Sequence, residues 1–152
     1  MYDPEERLLI AIGKIVASWA ALEEEIKVQC TTLERFHPSG SFRQNVVLTN
    51  LETRFKSLSH FWQKLAKESY PKKEARINNI NMALVDLSKD RNSVIHQTWG
   101  IAPEPHDIGT TTITQKDGMF HFQSFLTRWA FLEELPEKID GIRKKIKNLQ
   151  DL

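Results

Sequence analysis

The sequence predicts a mainly α-helical bundle of four to five helices with one small β-hairpin, in a single domain over 1–152. Three observations predict it. Apolar side chains recur at alternating steps of three and four over long stretches, the period of an amphipathic helix. Helix punctuation stands at the ends of those stretches, in Asp3-Pro4, Tyr70-Pro71 and Trp99-Gly100. Near 110–123 the pattern changes to threonines and aromatics alternating about Asp117-Gly118, as in a hairpin.

Each element follows from its own residues. Asp3-Pro4-Glu5-Glu6 supplies an N-cap acid, a proline at the first helical position and acids that complement the helix dipole. The first helix then runs to about 36. A second helical stretch is expected at 41–49, and a third from Thr49-x-x-Glu52, a capping box, to about 67. A long helix is expected over 72–97, stopped by Trp99-Gly100. Residues 101–109, with two prolines and a glycine, read as loop. Strands at 110–115 and 119–123 flank the turn, and a last helix covers 125–150, kinked or split by Pro136.

Charge narrows the function. There are 21 basic and 20 acidic side chains, a net of +1, so no basic excess holds nucleic acid by charge alone. The clusters Lys72–Arg76 and Ile142–Lys147 read as solvated helix faces. Cys30 is the only cysteine, no apolar run reaches membrane-spanning length, and the first residues are acidic. A soluble, cytoplasmic protein without a membrane partner is the expectation. The 5 histidines (His37, His60, His96, His106, His121) are scattered without metal-ligand spacing, and no Gly-rich phosphate loop occurs. No metal and no cofactor are expected.

Two helical seams each carry one polar intruder. On the first helix, Leu9, Ile12, Val16, Trp19, Glu23, Ile26, Cys30 and Leu33 fall on one line, apolar except at Glu23. If Leu22 turns inward instead, Glu23 moves to the margin of the stripe. On the long helix, Ile77, Ile80, Leu84, Leu87, Arg91 and Val94 align, apolar except at Arg91. A buried carboxylate or guanidinium is costly without a partner. A structural Glu23–Arg91 ion pair, or an arginine whose stem packs while its head reaches water, accounts for the pattern. So does a site.

Arg91 and His96 are about 140° apart on a regular helix, whereas Asn92 and His96 share a face. A tightened last turn would bring the imidazole round. Guanidinium, amide and imidazole together suit a phosphodiester: planar donors for phosphate oxygens, a positioning group, and a proton carrier near neutral pH. The same spacing recurs at Arg54 and His60, with phenylalanine after the arginine.

The stretch Arg91-Asn92-Ser93-Val94-Ile95-His96 resembles the RNase motif of HEPN (higher eukaryotes and prokaryotes nucleotide-binding) domains. That motif is arginine, four to six residues, then histidine, with a polar residue such as asparagine after the arginine. The resemblance covers about residues 5–100 and leaves the hairpin and last helix unmatched. It implies a metal-independent endoribonuclease, acting as a homodimer whose two motifs line one cleft. The setting would be toxin–antitoxin or phage defence, with an antitoxin or regulatory protein as partner. Arg91 and His96 would be the catalytic pair, the first on the scissile phosphate and the second in proton transfer, with Asn92 in support. The seams add Glu23 as an orienter of Arg91, and Trp99, beside the motif, is available to stack on a base. Two other readings stay open: a non-catalytic module that binds RNA or a nucleotide or regulates a partner, and a purely structural helical dimer joined by Leu135, Ile139, Ile142, Ile146 and Leu149.

Overall fold

The computed structural model describes residues 3–35, 54–101 and 108–151. Among those residues the protein is mainly helical, with four α-helices and a three-stranded antiparallel sheet. The helices are α1 (Pro4–Arg35), α2 (Phe55–Ser69), α3 (Glu74–Ile95) and α4 (Trp129–Lys147). The strands are β1 (Thr98–Ile101), β2 (Ile108–Lys116) and β3 (Met119–Thr127).

α1 begins as its sequence dictates. The Glu6 amide donates to Asp3 Oδ1 at 2.9 Å, so the N-cap acid satisfies one of the orphan donors of the first turn. Tyr70 leaves the helical conformation after α2, and Pro71–Lys73 form one 3-10 turn that leads directly into α3.

The helices form a ring: α1 packs most extensively along α4 and next along α2, α2 packs on α3, and α3 on α4. Contact across the diagonal between α1 and α3 is sparser. Arg7 near the start of α1 meets Trp129 and Glu133 at the start of α4, so these two helices run in the same direction. At the opposite end Lys73 Nζ donates to the carbonyls of Leu149 and Asp151, at 2.7 Å for the second, which ties the start of α3 to the end of α4. The core is continuous from Ile15, Leu22 and Ile26 on α1 through Trp62, Ile77, Leu84, Ile139 and Ile146.

The α3 seam is buried as expected at Ile77, Ile80, Leu84, Leu87 and Val94, with Arg91 half-buried among them. The α1 seam is not the expected one in its first half. Leu8, Ala11 and Ile15 are buried, whereas Leu9 is 70% and Val16 51% exposed. Leu22 is fully buried and Glu23 accordingly sits at the stripe's edge, half-buried. Of the last seam, Leu135, Ile139, Ile146 and Leu149 are buried inside the bundle, and Ile142 is half-buried against the same core.

The β-region is larger than a hairpin. Residues 98–101, expected to end a helix and enter a loop, instead form β1, which pairs with β2 from Thr98↔Thr111 to Ile101↔Ile108. β2 starts within the expected loop, and β3 runs on to Thr127, so α4 begins at Trp129 rather than near 125. The hairpin turn itself is as expected: Asp117 and Gly118 have φ of 54° and 74°, the pair of positive values a two-residue type I′ connection requires. Pro136 lies inside α4 without splitting it. Ile108 is fully buried and anchors the sheet to the core, while Met119 and Phe120 at its far end are exposed. The expected helix at 41–49, the capping box at Thr49 and Glu52, and His37 and His106 lie outside the described residues, as does the side chain of His121.

Candidate functional site

The two intruders meet on a tryptophan. Trp19, on the buried line of α1, is 3% exposed. Its indole N–H donates to Glu23 Oε1 at 2.8 Å, one helical turn further on. Phe55, at the start of α2, packs on the same indole with ring centroids 4.5 Å apart and planes at 51°, a tilted aromatic pair. From α3 the Arg91 guanidinium lies over the Trp19 ring, its carbon 5.6 Å from the centroid, within cation–π range. Three helices therefore converge on one side chain.

Glu23 and Arg91 are not among the ion pairs formed by the described residues. The carboxylate reaches the indole N–H, and the guanidinium reaches the indole face. Of the expected Glu23–Arg91 relation, what the structure holds is this indirect one through Trp19.

Arg91 Nη1 donates to Oδ1 of its chain neighbour Asn92 at 3.0 Å. Its Nε is enclosed and has no hydrogen-bond partner among the described residues. An orphaned buried donor destabilises unless something offsets it, and the aromatic contact is the compensation on hand. The enclosed Nε also limits recognition. An oxyanion can approach this arginine only at its Nη nitrogens, end-on rather than along the Nε edge.

His96 follows the last helical residue. Its φ of −97° and ψ of 10° take the chain out of the α-conformation, while its amide still donates to Asn92 O at 3.2 Å. The residue is exposed. Asn92 thus touches both members of the motif, Arg91 through its side chain and His96 through its carbonyl. No hydrogen bond joins the guanidinium to the imidazole among the described contacts.

Trp99 closes the end of α3. Its indole N–H donates to Val94 O at 2.8 Å, satisfying a carbonyl that the finished helix leaves open, and its half-buried body packs on the core. That fixes its ring close to the motif. Asp90, the residue before Arg91, faces the other way, toward α4. Burial raises its carboxyl above the ordinary value; Lys138 pulls it down and Asp86 adds to the rise. Consecutive residues on α3 thus project to different neighbours, Asp90 toward Lys138 on α4 and Arg91 toward Trp19 on α1.

Among the described residues no three His, Cys, Asp or Glu side chains gather as a metal site would need. No helix of those residues is long and apolar enough to cross a membrane. The one relevant residue that sequence reasoning left in the core was Trp19. Its signal was present: a tryptophan four residues before the intruding glutamate, placed to donate to it. Neither a family model, nor a curated protein, nor a solved structure matches the chain.

Proposed function

We propose that the protein is a metal-independent endoribonuclease of the HEPN type. The observation that carries this reading is the motif at the end of α3: an arginine held over Trp19 and bonded to Asn92, followed by an exposed histidine where the helix stops. In the proposed reaction Arg91 offers its Nη donors to the non-bridging oxygens of the scissile phosphate. The RNA 2′-oxygen attacks phosphorus and the bond to the 5′-oxygen breaks, leaving a 2′,3′-cyclic phosphate and a 5′-hydroxyl. His96 takes the 2′-proton or returns one to the leaving oxygen. Two chains would supply both proton carriers by lining one cleft with their motifs.

The test is cleavage of labelled RNA and of DNA of the same sequence, with EDTA present. RNA alone is cut, because DNA lacks the nucleophile. Arg91→Ala and His96→Ala each lower the rate by about two to four orders of magnitude. Variants that cut like the parent would sink the reading.

The enclosed Nε of Arg91 favours a second reading, in which the guanidinium serves binding or packing without turnover. Tight RNA or nucleotide binding with no cleavage by the parent selects a binding module. Loss of thermal stability as the sole effect of Arg91→Ala selects a structural role.

A further inference from the structure

We infer that Trp19 is the positioning residue for Arg91, and that Glu23 acts on the guanidinium only through the Trp19 indole. The kinetic part of this inference rests on the endoribonuclease reading; the spectroscopic part does not.

The geometry leaves Arg91 few constraints. It has one hydrogen bond, to its chain neighbour Asn92, and an enclosed Nε with no partner among the described residues. A bond to an exposed neighbouring amide cannot by itself fix a long side chain. The element that spans the α1–α3 diagonal and meets the guanidinium is the Trp19 ring at 5.6 Å. That ring is itself immobile. It is buried to 3% exposure, packed by Phe55 at 4.5 Å and pinned by its N–H on Glu23 at 2.8 Å. A carboxylate accepting from the indole N–H pushes electron density toward the ring, which strengthens the attraction of its face for a cation. Glu23 thus both locks the ring and charges its face, without touching the arginine. The result is a preset guanidinium with its Nη end outward.

The experiment has two readouts. In a 1H–15N spectrum of the arginine Nε–H groups, the Arg91 signal is assigned by its disappearance in Arg91→Lys. In the parent it exchanges slowly with solvent and is displaced by the ring current of Trp19. Trp19→Leu abolishes both features, Trp19→Phe keeps part of the displacement, and Glu23→Gln gives an intermediate spectrum. In RNA cleavage, Trp19→Leu lowers kcat about tenfold to a hundredfold, the range for a catalytic group displaced by about 1 Å. KM changes less than about twofold, because the charge is still present, and Trp19→Phe recovers most of the loss. A merely structural tryptophan would lower Tm and leave kcat unchanged below the transition.

If Trp19→Leu does not fold, Trp19→Phe and Glu23→Gln carry the test through the same two readouts. An Arg91 signal unaltered in the folded variants overturns the inference. A parent that cuts no RNA but shows the shielded signal, lost in Trp19→Leu, overturns the nuclease reading and upholds the positioning role of Trp19.

Discussion

Cys30 shows how a single side chain's surroundings decide its chemistry. It is fully buried on the core line of α1, and its thiol is pushed up to about 12, first by burial and then by the negative charge of Glu34. A thiolate is the reactive form, so this cysteine is inert in the folded protein. The sign of its effect on stability follows. In the unfolded chain the thiol ionises near the ordinary value of 9.0, while in the folded chain it keeps its proton to about 12. Between those values the folded state binds more protons, so this group makes stability fall as pH rises, by up to about 1.4 kcal/mol per pH unit. Denaturant unfolding at pH 8 and pH 10 checks it: the parent should lose roughly 1.4 kcal/mol more than Cys30→Ala over that interval. A thiol reagent should label Cys30 only under conditions that unfold the chain. Equal pH slopes for parent and variant would refute the assignment.

At the scale of elements, Pro136 marks a local conflict that packing overrides. It is the eighth residue of α4, where a proline removes the hydrogen bond to the carbonyl of Leu132 and crowds that turn. The helix continues because Leu132, Leu135, Ile139 and Ile146 bury on the same side as they pass it. Pro136→Ala should therefore stabilise the protein by about 1–3 kcal/mol, the gap in helix propensity less the entropy the alanine restores to the unfolded chain. Thermal unfolding would show a rise of several degrees, and an unchanged or lower Tm would mean that the proline fits a bend the bundle requires. The same contest between local pattern and packing governs what the sequence reveals. The α3 line is legible because its apolar positions offer one choice of face. In α1, Leu8-Leu9, Ala11-Ile12 and Ile15-Val16 are apolar doublets that support two parallel lines, and only the position of the neighbouring helices selects the inner one. β1 is illegible for a different reason: its four residues owe their conformation to partners at 108–111, and no local period announces them. At the site, the anomaly of Arg91 and Glu23 is visible in the seams. The intermediary Trp19 looks like any core aromatic until α2 and α3 are placed against it.

For the whole molecule, the distribution of charge limits how RNA would be held under the proposed endoribonuclease reading. The net charge is +1, and the two basic clusters are gathered at one end of the bundle by the bonds of Lys73 to the end of α4. Much of that end is already engaged. Arg143 and Lys144 share Asp140 at 2.6 and 3.4 Å, and these exposed pairs hold its carboxyl below the ordinary range. Arg91 lies 17 residues along α3 from Glu74, roughly 26 Å from that end at 1.5 Å per residue. An RNA bound at the motif therefore meets a compact site with few cations, whereas one stretched along the bundle would engage both ends. Counterion release separates the two. Each phosphate neutralised on a single strand contributes about −0.7 to the slope of log K against log salt. Binding of a non-cleavable 2′-O-methyl RNA by a pair of chains using one Arg91 each should give a slope of about −1.4. Arg91→Ala should flatten that slope, and replacing Lys144 and Lys145 by glutamine should leave it unaltered. A slope steeper than about −4, reduced by the lysine replacements, would move the RNA to the basic end and away from Arg91.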